Sequence, residues 1–181
     1  TLEGVDLRRP ALCEADLADL AQAAALGVNA VMQPFVRSAD DLYVVRQTMA
    51  ENGLAGAELF AKVENRPGLD ALPDWLALCD VVTIARGDLG SSLPLERLPA
   101  AQKRIAALCR SRGKPFLVVT QLLHSMIDHP SPTRAEVLDI YNAVLDGADC
   151  LMLTGETAQG RCPLESADWL IRVAQEAEKA L

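Results

Sequence analysis

Polar side chains that could bind a metal ion or an anionic substrate follow several short apolar runs of this sequence, at the point where each run ends. They are Lys62, Glu64, Asp88, Thr120 and Glu156. If the apolar runs are parallel strands, their carboxyl ends lie on one face of the sheet, which is where α/β proteins bind ligands. Two carboxylates from neighbouring strand ends are hard oxygen ligands, which suit Mg²⁺ or Mn²⁺. The spacing therefore predicts a divalent-metal site beside a lysine and glycine-bearing loops.

The elements that must position these residues alternate along the chain. Five runs rich in apolar and β-branched residues are predicted strands, at 28–33, 57–63, 80–85, 116–120 and 149–153. Helical patterns cover 14–26, 39–51, 68–78, 98–112, 133–146 and 163–181. Each step between strands spans roughly 20–35 residues, as in βαβ units with right-handed crossovers. The sequence therefore predicts a parallel α/β fold.

Local signals agree with these bounds. Thr133 and Glu136 have the spacing of a capping box at a helix start, and Pro163 suits the first turn of the last helix. A glycine follows four of the helical runs, where the chain needs a left-handed residue. These glycines are Gly27, Gly53, Gly113 and Gly147.

Composition narrows the class of protein. The 181 residues carry a formal net charge of −8, which argues against a nucleic-acid or anionic-membrane partner. A small anionic substrate stays compatible with that charge, because a bound divalent cation reverses the local field. The five cysteines form no C-x-x-C pair, so we interpret them as small core residues in a reducing compartment and expect a cytoplasmic location. No stretch reaches the ~18 apolar residues of a membrane span. Residues 1–181 are expected to form a single domain.

Five strands leave two architectures open. A closed parallel barrel needs eight βα units and typically about 250 residues. Five units could instead form an open twisted sheet, although parallel sheets bury both faces and tolerate exposed edges poorly.

Several segments, in chain order, resemble the motifs of the pyruvate kinase family. Ala85–Gly90 is identical to that family's ARGDLG, and Pro132–Glu136 matches its PTRAE. Further segments are similar to SFVR, K-[IV]-E-N-x-x-G, TQMLESM, the NAVLDGAD run and IMLSGETAKG; they lie at 34–37, 62–68, 120–126, 142–149 and 151–160. A single short motif would be weak evidence, but the ordered set covers nearly the whole chain.

The resemblance implies a metal centre. Glu64 and Asp88 match the two protein ligands of the divalent cation, Mg²⁺ or Mn²⁺, that grips enolpyruvate oxygens. Lys62 matches the lysine that neutralises charge on the transferring phosphoryl group and on the enolate. Phosphoryl transfer of this kind depends almost wholly on positioning and electrostatic stabilisation.

The resemblance also implies a substrate pocket. The backbone N–H groups of Gly87 and Asp88 match the cradle of the substrate carboxylate. Thr120 matches the threonine beside the methylene carbon, where a proton is added, and Glu156 a glutamate linked to that proton transfer. A purely structural role stays open for two of these residues: Thr120 could merely end its strand, and Glu156 could anchor loops. Arg86 could be purely structural and pair with a carboxylate.

The fold that the resemblance implies is a partial (β/α)8 TIM barrel of the α/β class, with its last five βα units present. The match begins near 4–7. The family's first three strands, its lid domain and its C-terminal regulatory domain have no counterpart in the sequence, and neither do the K⁺ ligands and the nucleotide cleft. The implied reaction is glycolytic, from phosphoenolpyruvate and ADP to pyruvate and ATP. It would need the missing N-terminal elements or a partner chain, and either a homo-oligomer or association with a complementary barrel half is expected.

Four residues depart from the family pattern: Pro34, Ser92, His124 and Gln159. Pro34 could protect an exposed strand edge, since proline cannot donate a ladder hydrogen bond, or it could simply be harmless at the end of a strand in a full barrel. Two alternatives from other classes stay open. One is a catalytically inactive scaffold or regulatory subunit, and the other is a metal-dependent lyase that handles enolpyruvate or pyruvate.

Overall fold

The computed structural model describes residues 9–181, so the predicted start of the match near 4–7 lies outside the described residues. The strands are β1 Ala30–Gln33, β2 Glu58–Val63, β3 Val81–Ala85, β4 Phe116–Val119 and β5 Cys150–Met152. The helices are α1 Glu14–Ala23, α2 Ala39–Glu51, α3 Arg66–Asp70, α4 Leu72–Trp75, α5 Arg86–Ser92, α6 Leu98–Ser111, α7 Arg134–Leu145, α8 Gly155–Ala158 and α9 Pro163–Glu178. Short 3₁₀ turns cover Leu76–Leu78, Leu95–Arg97 and His124–Ile127. Each strand lies within its predicted run.

The five strands form one parallel sheet in the order β1-β2-β3-β4-β5. Doubly wound sheets reverse their strand order at a switch point, whereas a barrel keeps it sequential. One face of the sheet, with Ile84 and Val118, packs against helix residues such as Leu42 and Ile105. The other face forms a small cluster made of strand residues alone: Val81, Ala85, Leu117, Val119 and Met152. The architecture is therefore a segment of a (β/α)8 barrel, and the sheet is not closed.

The helix predicted over 68–78 is broken into α3, α4 and a 3₁₀ turn. It begins earlier than predicted, because the side chain of Asn65 caps it by accepting a hydrogen bond from the N–H of Gly68 at 2.8 Å. Pro73 lacks the N–H that would continue the helical ladder, so it lies in the first turn of a new helix. Trp75 is completely buried there, and its indole N–H donates to the carbonyl of Gly68 at 3.0 Å.

The interpretation of the cysteines as core residues was only partly right. All five thiols are free, but burial is confirmed only for Cys79 and Cys109. Burial raises the pKa of Cys79 to about 11 and that of Cys109 to about 12, so both stay protonated and unreactive near neutral pH. Cys13 and Cys150 are exposed, and Cys162 is half-buried. Neighbouring apolar letters do not reveal which face of an element a residue occupies.

Within residues 9–181, β1 pairs with β2 alone and is an edge strand. Pro34 lies one residue beyond its end and is exposed, so it removes no ladder donor from β1 itself. A groove of about 450 Å³ runs between α1 and this edge, lined among others by Leu20, Leu26 and Met32. Among the helices of the described residues, none is long and apolar enough to cross a lipid bilayer.

The predicted capping box at the start of α7 is present and extends across a loop. Glu136 accepts hydrogen bonds from the backbone and hydroxyl of Thr133 and, at 2.7 and 2.6 Å, from the N–H and hydroxyl of Ser125. Partial burial opposes ionisation, but these hydrogen bonds outweigh it and lower the pKa of Glu136 below its ordinary 4.5.

Acidification should therefore destabilise the fold in part through Glu136. The folded carboxyl group binds its proton less readily than the unfolded one, so its stabilisation is complete above pH 4.5 and is lost as the pH falls through the lower folded pKa. We expect Glu136→Gln to lower the unfolding free energy at pH 7 and to reduce its fall between about pH 5 and 3, measured by urea unfolding. An equal fall in both proteins would contradict this assignment.

Candidate functional site

At the end of β2, Glu64 is anchored from two sides. Its residue is only 2% exposed, and its Oε1 lies 2.6 Å from the Nζ of Lys62. Its Oε2 accepts a hydrogen bond of 2.7 Å from the backbone N–H of Phe35, in the loop after β1. Lys62 and Glu64 are two residues apart along a strand end, so their side chains share a face. A buried carboxylate is thus held at a defined position beside one cation.

At the end of β3, α5 begins at once and carries Gly87 and Asp88 in its first turn. Val63 and Ile84 are register partners, so Glu64 and Asp88 follow neighbouring, paired strands and lie at the carboxyl ends of both. Asp88 is half-buried. The N–H of Gly87 donates a hydrogen bond of 2.7 Å to the Oγ1 of Thr120, which follows β4. The Thr120 hydroxyl in turn donates to the carbonyl of Val119 at 2.6 Å.

Arg86 joins the loops after β3 and β4 to helix α7. Its Nε and Nη2 donate to the carbonyl of Thr120 at 3.2 and 2.8 Å, while its Nη1 contacts both carboxylate oxygens of Asp139 at 2.8 and 2.6 Å. The side chain of Arg86 is nearly buried, whereas that of Asp139 is partly exposed to solvent. The pairing with a carboxylate that sequence reasoning considered for Arg86 is present.

Strained backbone conformations occur in the loops at the carboxyl ends of the strands. Within residues 9–181, the non-glycine residues with positive φ are Phe35 (52°), Thr120 (74°) and Gln121 (54°). Each such conformation costs roughly 1–3 kcal/mol and persists only where its surroundings enforce it. Phe35 presents its N–H to Glu64, and the carbonyl of Thr120 is held by Arg86. Strain of this kind clusters at functional sites, which supports a functional site at the carboxyl ends of the strands.

Glu156 lies at the start of α8 and is buried. Its Oε1 accepts a hydrogen bond of 3.1 Å from the N–H of Leu123, and its Oε2 accepts one of 2.9 Å from the N–H of Thr154. These contacts tie the loop after β5 to the loop after β4. They favour the anchoring role that sequence reasoning left open, and a catalytic role for Glu156 stays a prediction.

Sequence reasoning missed two contributors to the site and one unpaired hydroxyl near it. Phe35 and Asp139 act on Glu64 and Arg86 from 29 and 53 residues away, and no local pattern reveals such pairs. Thr83 lies opposite Lys62 in the register of β2 and β3 and is fully buried. Its hydroxyl is the one buried side-chain nitrogen or oxygen in the described chain without a hydrogen-bond partner.

The residues present fit a Mg²⁺ or Mn²⁺ ion that completes its coordination from water and substrate. Among residues 9–181, no group of three or more His, Cys, Asp or Glu side chains forms a ready metal cage. Mg²⁺ is usually bound by one or two carboxylates and keeps several waters or substrate oxygens, so a cage is not required. Glu64 and Asp88 supply two such carboxylates, and Lys62 now balances the charge of one of them.

The comparisons with known proteins agree with the fold and with the order of the motifs. Residues 1–167 match the family model described as pyruvate kinase, barrel domain. The chain is 43% identical over 180 residues to a pyruvate kinase of Kluyveromyces lactis, covering 99% of this chain and 36% of that protein. Similar values hold for pyruvate kinases of Clostridium acetobutylicum (38% over 177 residues; 98% and 37%) and Dictyostelium discoideum (41% over 177 residues; 98% and 35%).

The chain thus spans little more than a third of the length of these relatives. The sequential parallel sheet, the barrel-domain match and identities near 40% over almost all of the chain lead to the same assignment. The chain belongs to the pyruvate kinase family.

Proposed function

We propose that this chain forms the metal- and phosphoenolpyruvate-binding part of a pyruvate kinase active site, which transfers a phosphoryl group from phosphoenolpyruvate to ADP. Glu64 and Asp88 would hold Mg²⁺ or Mn²⁺, which supplies Lewis-acid stabilisation of the enolate oxygen when bound. Lys62 would stabilise negative charge on the phosphoryl group. The proposal includes a single domain over residues 1–181 and a cytoplasmic location.

The observation that carries the proposal is the buried Glu64 carboxylate. It lies at the carboxyl end of β2. One of its oxygens is 2.6 Å from the Nζ of Lys62, and the other is 2.7 Å from the backbone N–H of Phe35, a residue with positive φ. A buried carboxylate is costly unless it is paired, and this one is paired with a lysine that could serve a substrate equally well. Positioned charge of this kind is what phosphoryl transfer requires.

Substrate binding would exchange two contacts that the side chains now make with one another. With Glu64 engaged by a cation, Lys62 would be available to the phosphoryl group. A substrate carboxylate at Gly87 would replace the hydroxyl of Thr120, which now accepts from the Gly87 N–H. The freed hydroxyl could then face the substrate's methylene carbon, in agreement with the role predicted for Thr120.

Residues 9–181 form an unclosed sheet, so we propose that activity needs a complementary barrel half, from N-terminal elements or from a partner chain. That half would supply the remaining strands, the phosphate-binding and nucleotide-binding residues, and the ligands of K⁺. Assembly into a homo-oligomer is the alternative form of association. The inactive-scaffold alternative shares the fold and the motifs and differs only in turnover.

A coupled assay separates these functions. Pyruvate formation is followed through NADH oxidation by lactate dehydrogenase, for the chain alone and with an upstream chain that carries the missing strands and lid. We expect turnover only with both chains, and a fall of roughly 10²–10³-fold in kcat for Lys62→Met, as for the loss of one electrostatic stabiliser. The control is Lys103→Met, a lysine paired with Asp146 and not with Glu64.

Turnover by the chain alone would show that no complementary half is needed. Binding of Mn²⁺ and phosphoenolpyruvate by the two-chain assembly without any turnover would favour the scaffold. Formation of a product other than pyruvate and ATP would favour a lyase.

A further inference from the structure

We infer that Arg86, held by Asp139, is a positioning residue that fixes the backbone of Thr120 and so sets the Thr120 hydroxyl against the N–H of Gly87. The inference deepens the proposed function and rests on it for the place of Thr120 in the substrate pocket. The contacts themselves are observed independently of any substrate.

The guanidinium of Arg86 is fully committed to two partners. Two of its nitrogens, Nε and Nη2, converge on one acceptor, the carbonyl of Thr120, at 3.2 and 2.8 Å. The third, Nη1, lies 2.6 Å from the nearer oxygen of Asp139 on α7. The planar fork of arginine can hold both partners at once, whereas the single ammonium of lysine cannot reproduce this geometry.

The carbonyl that Arg86 holds belongs to a strained peptide. Thr120 and Gln121 have φ values of 74° and 54°, a conformation that non-glycine residues adopt only when contacts enforce it. The direction of the Thr120 carbonyl fixes the peptide plane between these two residues. Releasing it would let the turn relax toward ordinary φ values and carry the Thr120 side chain with it.

The position of the Thr120 hydroxyl depends on that turn. Its Oγ1 accepts from the N–H of Gly87 at 2.7 Å and donates to the carbonyl of Val119 at 2.6 Å. Gly87 directly follows Arg86 in the chain, so the backbone N–H of Gly87 moves together with Arg86. The hydrogen bonds of Arg86 to Thr120 and Asp139 are called the Arg86 clamp. A cavity of about 360 Å³ lies beside the clamp and is lined by Arg86, Gln121 and Asp139. Close packing on this side therefore does not also fix the turn.

The chain offers a matched control for an arginine clamp. Arg46 donates through Nε to the carbonyl of Leu78 at 3.0 Å and through Nη2 to Asp80 at 2.6 Å. It also donates through Nη1 to the carbonyl of Ala57 at 3.4 Å, so its partners are of the same kinds as those of Arg86, backbone carbonyls and one aspartate. Asp80 directly precedes β3, so this clamp lies at the opposite, amino end of the sheet.

The test compares amide hydrogen exchange and ¹H–¹⁵N chemical shifts in the wild-type chain, Arg86→Lys, Asp139→Asn and Arg46→Lys, with thermal unfolding as a check of folding. We expect exchange of the Gly87 amide to accelerate at least tenfold in Arg86→Lys and less in Asp139→Asn, which keeps one neutral acceptor. The Gly87 proton should also lose the downfield shift of a short hydrogen bond. Arg46→Lys should leave Gly87 unchanged.

Unchanged Gly87 exchange in folded Arg86→Lys would overturn the inference, and so would equal acceleration in Arg46→Lys, since that would show general loosening. If Arg86→Lys does not fold, Asp139→Asn decides by the same Gly87 comparison. Phosphoenolpyruvate with Mg²⁺ is then titrated into the wild-type chain, and we expect the resonances of Gly87 and Thr120 to shift. Resonances of Gly87 and Thr120 that never respond to this ligand in the wild type would contradict the proposed function, while the exchange comparison judges the clamp separately.

Discussion

Glu64→Gln is expected to weaken Mn²⁺ binding at least about 100-fold, while Lys62→Met strengthens it about tenfold. Loss of an outer-sphere partner of a metal ligand already costs 10–100-fold in affinity, and Glu64 would be a direct ligand. Lys62 has the opposite effect because its ammonium, 2.6 Å from Glu64 Oε1, competes with the cation for the same oxygen. A tenfold gain corresponds to about 1.4 kcal/mol, near the low end measured for close charge pairs.

Isothermal titration calorimetry with Mn²⁺ measures both effects. Lys103→Met is the control for Lys62→Met, because it removes the same charge from an ion pair with the buried Asp146. Asp128→Asn, an exposed acid, is the control for Glu64→Gln. Tight binding that survives in the Glu64→Gln, Asp88→Asn double variant would show that the metal binds elsewhere. Weaker binding in Lys62→Met would show that the lysine does not compete with the cation.

The second large effect is expected from Gly68→Ala, which should destabilise the fold by about 3 kcal/mol, at the upper end of the cost of overpacking. An added Cβ would lie 2.1 Å from the carbonyl oxygen of Val36, and that oxygen belongs to the backbone and cannot rotate away. Asn65 also donates to this carbonyl, at 3.2 Å. The clash would push apart the loops after β1 and β2, which carry Phe35 and Glu64.

Urea unfolding measures this cost, and Gly56→Ala provides the matched control. A Cβ at Gly56 meets nothing within 4 Å, and the backbone there does not have a positive φ. We expect Gly56→Ala to change the unfolding free energy by less than about 0.5 kcal/mol, as for most surface substitutions. Equal stability of the two variants would contradict the close approach of Gly68 to Val36. Gly68→Ala should also weaken Mn²⁺ binding, since it displaces Glu64 with its loop.

The strands and the order of the site residues could be predicted from the sequence because both are local. Apolar runs such as 116–120 mark buried parallel strands. Polar residues that follow these runs lie at the carboxyl ends of the strands, whatever conformation the loops adopt. The capping box at Thr133 and Glu136 is likewise a short-range pattern, and it is present as predicted.

The contacts that define the site could not be predicted in the same way. Phe35 reaches Glu64, and Asp139 reaches Arg86, only after the sheet has brought distant loops together. Positive φ at residues such as Thr120 has no signature in a non-glycine residue type, since it is enforced by surrounding contacts. The break after α3 has a local cause, because Pro73 cannot donate to a continuous helix.

Paramagnetic broadening by Mn²⁺ tests the metal site most directly. Substoichiometric Mn²⁺ is added to the ¹⁵N-labelled chain, and the loss of each amide signal is recorded, since broadening falls steeply with distance from the ion. We predict that the amides of Phe35, Glu64, Gly87 and Asp88 disappear first, while those of α9, Pro163–Glu178, persist. Broadening centred on another part of the chain, or the same pattern in Glu64→Gln, would contradict a metal site between the ends of β2 and β3.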